Sequence, residues 1–178
     1  MILTYEYRVE PNRQQAERLS QWLEICRRVY NYALKERKDW VNSRKSPVNA
    51  CSIVSEYILP ADAPPPTYAS QCRGLTTRRA ESAEYSDVQV HVLQQTLNTL
   101  QKAFVAMWEQ GHGFPRFKKP GQLRSFVFPQ MGVNPWQSGR LKLPKIGRVK
   151  VRESRPLPEG AAIKQVRILC RASGWYAL

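Results

Sequence analysis

The chain has 178 residues and a mass of 20.6 kDa, is 42% hydrophobic and 24% charged, and suits one globular domain or two small ones wound together. No stretch approaches the ~20 apolar residues that span a bilayer, which excludes a protein of membrane-spanning helices, and the start MILTYEYRVEP lacks the charged-then-apolar pattern of an export signal. Against 14 Asp+Glu stand 28 Lys+Arg, a net charge of +14, and the excess is concentrated after residue 110, where the acids are Glu153 and Glu159 alone. Cations gathered in this way release counterions when they meet a polyanion, so nucleic acid is the expected partner.

Residues 2–9, ILTYEYRV, alternate Leu3/Tyr5/Tyr7/Val9 against Ile2/Thr4/Glu6/Arg8 and predict a strand. Pro11-Asn12 ends it, with Asn12 placed to cap a helix. From Arg13 to about Val41, apolar residues recur at three and four: Leu19, Trp22, Leu23, Cys26, Val29, Tyr30, Ala33 and Leu34. A turn-like break is expected from Ser43 to Ser46. Ile53, Val54, Tyr57 and Ile58 suggest a short helix ended by Pro60, and Asp62 to Pro66 reads as a stiff loop. A further short helix is expected from Ser70 to Ala80.

Residues 87–110 carry the clearest pattern, with Val90, Leu93, Leu97, Leu100, Phe104 and Met107 on one stripe. Asp87 is the expected cap and Gly111 the stop. Beyond Gly111 the period changes. Gly and Pro punctuate short runs at Ser125–Phe128, Arg140–Leu143, Arg148–Val151 and Ile163–Cys170, each read as a strand. The pattern predicts an α+β protein: a small, open β-barrel, begun by the first strand and split by a helical insertion. Although more than 100 residues separate them, the first strand should pair with strands after residue 120, because loop closure costs grow only logarithmically with length.

Two basic runs carry the expected chemistry. In Phe114-Pro115-Arg116-Phe117-Lys118-Lys119-Pro120, aromatics interleave with cations, so bases can stack while cations hold phosphates. In residues 140–152, RLKLPKIGRVKVR, six cations fall mostly at alternate positions, as a hairpin with a cationic ridge requires. Catalytic groups are not gathered anywhere. A two-metal nuclease needs clustered carboxylates, and Glu153 and Glu159 each lie in a loop without an acidic neighbour. Cys26, Cys51, Cys72 and Cys170 are widely spaced, and His91 and His112 lie far from them, so no metal site or cofactor is expected. Unpaired spacing of this kind also suits a reducing compartment.

The ordered segments YEYRVEPNRQQAERLSQWLEICRRVYNYAL, VLQQTLNTLQKAF, GFPRFK followed by SF, LKLPKIGRVKV and RPLPEGAAIKQVRI resemble the N-terminal half of TnpB. TnpB proteins are transposon-encoded RNA-guided DNA endonucleases related to type V CRISPR effectors. The resemblance runs from about Tyr5 to Tyr176 and is weak from 44 to 80. It implies a wedge barrel in residues 1–10 and 111–178, split by a helical recognition domain in 11–110. It also implies that the family's RuvC nuclease acids and zinc-ribbon cysteines lie outside this chain, which is then a non-enzymatic, truncated or split relative. The implied partners are a guide (omega-type) RNA, target DNA, and a separate RuvC-bearing chain or full-length effector. The implied setting is a prokaryotic cytoplasm, with the protein on the nucleoid through nucleic acid.

On this reading the scaffold of the RNA lies against Arg116, Phe117, Lys118 and Lys119 and against the ridge of Lys142, Lys145, Arg148, Lys150 and Arg152. Further candidate contacts are Tyr5, Arg8, Arg27, Arg28, Asn31, Arg124 and Ser125. His91 stands where relatives carry Gln, near the part that meets the target-adjacent motif, with Gln94 beside it. The alternative is a helix-turn-helix repressor or transposase-type DNA-binding protein, with the first two helices reading the major groove. A third reading is a structural subunit that docks a catalytic partner.

Overall fold

The computed structural model describes residues 3–45, 59–60, 62–158 and 160–178. The expected short helix at 53–58, Cys51 and Glu159 lie outside the described residues. The chain runs β1 (Tyr7–Glu10), α1 (Arg13–Lys45), α2 (Tyr68–Glu81), α3 (Ala83–Asp87), α4 (Val90–Gln110), β2 (Ser125–Phe128), β3 (Trp136–Gln137), β4 (Arg140–Leu143), β5 (Gly147–Arg152), β6 (Val166–Arg171) and β7 (Gly174–Ala177).

Asn12 starts α1 as expected. Its Oδ1 accepts the Gln15 backbone N–H at 2.8 Å, and Gln15 Oε1 accepts the Asn12 N–H at 3.0 Å, a reciprocal cap. The helix then runs unbroken through Lys45, so the break expected to begin at Ser43 is not present over 43–45, and Ser46 lies outside the described residues. Its apolar stripe is buried as predicted, except that Leu23 is half-buried and Ile25 takes a fully buried place. At α4 the stop is right and the cap is not. Gly111 adopts the left-handed conformation at φ 68°, and the His112 N–H donates to the Ala106 carbonyl at 3.3 Å. Asp87 instead ends α3, where it pairs with Arg18 and accepts Trp22 Nε1–H at 3.0 Å. An ion-pair partner far along the chain has drawn this carboxylate away from capping.

All seven strands form one antiparallel sheet in the order β2-β6-β7-β1-β5-β4-β3. The first strand sits at its centre, paired with β5 through Val9↔Val151 and with β7 through Val9↔Trp175. The long-range pairing expected from the sequence is therefore present. The strand is shorter than expected, because residues 3–6 are not in the ladder and Leu3 is exposed. The expected barrel is not closed. The ladder is open, with β2 and β3 at its two ends. It is nevertheless curled. In a flat sheet β1 and β3 would stand three strand spacings, roughly 14 Å, apart. The Tyr7 and Trp136 ring centroids are 5.1 Å apart over the apolar face.

That apolar face carries Tyr7, Val9, Leu141, Leu143, Val149, Val151, Val166 and Ile168, all buried. Helices α1 and α4 pack on each other and on the β2 end of the sheet. Trp22 is the joint: it is fully buried, with its ring 5.8 Å from Phe126 and 5.9 Å from Phe128. One continuous core thus fixes the helices to the sheet and leaves the other sheet face bare.

Candidate nucleic-acid interface

Strand alternation sends Arg8 and Glu10 to the side opposite Tyr7 and Val9. Register extends that side across the sheet. Arg152 stands opposite Arg8, Lys150 opposite Glu10, Arg140 opposite Lys150, and Lys142 opposite Arg148. On the other flank Tyr176 stands opposite Arg8 and Leu169 opposite Tyr176, which puts Arg167 and Arg171 on the same face. Eight cations from four strands therefore share one exposed surface.

Two carboxylates interrupt it. Lys150 Nζ lies 2.9 Å from Glu10 and holds that carboxyl below the usual carboxylate range. Arg171 forms a two-pronged pair with Glu6 at 2.6 and 2.9 Å and stacks over the Tyr176 ring at 4.7 Å. Arg148 donates to Gln137 Oε1 at 3.1 Å. The rest of the face is open to solvent, and a surface that concentrates charge of one sign attracts a polyanion.

The ridge expected from residues 142–152 is present without Lys145. That residue sits in the turn between β4 and β5 at φ 62°, and its Nζ donates to the Ser86 carbonyl of α3 at 2.7 Å. It ties the hairpin to the helices instead of facing outward with Lys142, Arg148, Lys150 and Arg152.

The Phe114–Pro120 loop is held by α1. Asn31 Oδ1 accepts the Lys118 backbone N–H at 2.8 Å, and Asn31 Nδ2 donates to the Lys118 carbonyl at 2.9 Å. Arg27 donates to the same carbonyl at 3.0 Å and to both oxygens of Glu24. Asn31 and Arg27 therefore act on this loop from behind, and their polar atoms are already occupied. Arg116 and Lys119 point into solvent, Lys118 covers the Tyr30 ring at 5.6 Å, and Lys38 covers the Phe117 ring at 5.4 Å.

The remaining candidates divide between the two surfaces and the interior. Arg28 pairs with Glu84 and lies over Tyr85, an internal brace between α1 and α3. Arg124 and Ser125 flank the loop: Arg124 Nε donates to the Gly121 carbonyl at 3.3 Å, and Ser125 Oγ accepts from Arg167 at 3.4 Å. Tyr5 stacks beside Tyr7 under Arg155, 4.6 Å from its ring. His91 and Gln94 meet each other on α4 at 3.2 Å, half-buried and apart from the strand ladder. Arg167 and Arg171 were not among the expected contacts. The alternation of Val166 and Ile168 against Arg167 was their signal, but the register that carries them beside Arg8 is not written locally.

Among the described residues no three His, Cys, Asp or Glu side chains come together as a metal site. Cys26 is sealed in the core, and burial pushes its thiol up to about 12. No helix among the described residues is long and apolar enough to cross a membrane.

Comparison with known proteins adds similarities to this geometry. Residues 1–46 match the helix-turn-helix domain family of IS605 OrfB proteins. In this chain the matched segment folds as β1 and the unbroken helix α1. Across 97% of its length the chain is 29% identical to a predicted RNA-guided DNA endonuclease of Streptomyces pristinaespiralis. Across 98% it is 25% identical to InsQ, a predicted RNA-guided DNA endonuclease of Escherichia coli. In both cases it spans 39% of the relative's length.

Proposed function

We propose that this chain, a homologue of RNA-guided DNA endonucleases of the TnpB kind along its whole length, is the part that grips guide RNA and meets target-adjacent DNA. One observation carries the reading: eight cations from four strands lie on a single bare sheet face. Guide RNA lies along this face, chiefly on Lys142, Arg148, Lys150 and Arg152, and continues onto Arg116 and Lys119. Sequence is then read by base pairing, while the protein holds phosphates and helix shape. Residues 1–10 and 111–178 act as one RNA-binding unit, and residues 11–110 as a helical unit facing target DNA. The chain spans 39% of the length of the endonucleases it resembles, and in this reading it contributes binding and not strand cutting.

The test is binding of the purified chain to RNA from the end of its own transposon, against random RNA and duplex DNA at fixed salt. Preference for the transposon-end RNA supports the reading. Sequence-specific binding to duplex DNA without RNA contradicts it and supports a transposase-type DNA-binding protein, which the match of residues 1–46 favours as the second reading.

A further inference from the structure

The sheet face holds charge but no exposed ring apart from the partly covered Tyr176. The exposed aromatics lie elsewhere. Tyr32, on α1, is 56% exposed with Arg78 over its ring, while Trp108, on the last turns of α4, is 66% exposed, and Phe114 and Phe117, on the loop that follows, are 38% and 43% exposed. Trp108 and Phe114 share an anchor. Phe104 is buried, and its ring centroid lies 5.6 Å from Trp108 and 5.4 Å from Phe114. The Arg37 guanidinium also lies over the Phe104 ring, 4.9 Å from its centroid. Arg37 is itself buried, bonded to Gln71 at 3.1 Å, and keeps one terminal nitrogen without a partner.

Large apolar rings at a surface cost free energy unless something covers them. Their setting tells what the cover is. Lys38 lies over Phe117, and Arg116, Lys118 and Lys119 belong to the same loop. Rings fixed from below, with cations on the same loop, match the chemistry of an unpaired strand, whose bases need flat apolar partners and whose phosphates need positive charge. A paired duplex hides its bases and gains nothing from such rings. We propose that Trp108 and Phe114, with Phe117 beside them, form a stacking platform for a single-stranded stretch of nucleic acid. This deepens the nucleic-acid reading above and rests on it. The platform supplies what the sheet face lacks: contact with bases that does not depend on salt.

The experiment measures binding of the full chain to a short oligouridine, to oligothymidine, and to a duplex RNA, for wild type, Trp108→Ala, Trp108→Phe and Phe114→Ala. Base–aromatic stacking is strong enough that loss of one ring weakens single-strand binding by about tenfold or more. Trp108→Ala is expected to show that loss on both single strands, leave duplex RNA binding unchanged, and keep the wild-type salt slope. Trp108→Phe retains most of the affinity. Equal weakening on oligouridine and oligothymidine assigns the contact to bases and not to the 2′-hydroxyl. Single-strand binding unaffected by Trp108→Ala overturns the proposal. So does a wild-type chain that binds neither single strand, or one that self-associates through this patch and loses that association with Trp108→Ala. The sheet-face reading fails separately, if removing its cations leaves the salt slope of RNA binding unchanged.

Discussion

Asn31 shows how one side chain decides where charge is presented. Its amide closes two hydrogen bonds with the backbone of Lys118, 87 residues away, and so fixes the loop that carries Arg116 and Lys119. Replacing it with Ala leaves the Lys118 N–H without a partner and its carbonyl with Arg27 alone, and a net loss of about 1–3 kcal/mol is expected. Urea unfolding measures the loss, and hydrogen exchange at Lys118 should accelerate. An unchanged midpoint would mean the loop is held without this amide. Asp87 plays a similar part between helices. The Arg18 hydrogen bond, and after it the Trp22 indole N–H, hold its carboxyl below the usual range against the opposite pull of burial. A depressed carboxyl contributes stability above its unfolded value and loses it as pH falls through the folded one. The stability gap between wild type and Asp87→Asn should therefore be full at neutral pH and close as pH drops below about 4. A gap that persists undiminished in acid would place the stabilisation in packing.

At the scale of elements, Trp22 joins the helical and β parts, and its ring touches both phenylalanines of β2. Trp22→Ala opens a cavity there and removes the indole bond to Asp87, so a loss of about 3–5 kcal/mol is expected on denaturant unfolding. Much less than that would mean that the two parts fold independently. The stripe that buries Trp22 was legible in the sequence, as were α4, its glycine stop, and strands β2 and β4, because each depends on a local period or a local φ. Elements set by distant partners were not. The strands at Trp136–Gln137 and Gly174–Ala177 are short, and only neighbours in the ladder define them. The cap role of Asp87 failed because Arg18, 69 residues earlier, competes for it. Lys145 looked like a ridge cation by alternation, yet a positive φ in the turn rotates it toward Ser86. Trp108 fits the helical pattern of α4 and shows only in the structure that it remains uncovered.

At the scale of the whole molecule, the curled sheet sorts the chain chemically. Apolar side chains gather on one face and cations on the other, although the residues of the cationic face span from Arg8 to Arg171. Sequence alone shows that the second half is basic, and only the register shows that Arg8, Arg167 and Arg171 complete the same surface. RNA binding by this chain depends on that surface holding phosphates. The most direct test is the salt dependence of transposon-end RNA binding for wild type and for the combined Lys142→Ala, Arg148→Ala, Lys150→Ala and Arg152→Ala variant. Each lost phosphate contact should lower the log–log slope by about 0.7 to 0.9, with Lys145→Ala alone leaving it unchanged. A combined variant with the wild-type slope would show that the cationic face touches no RNA, and would contradict the account.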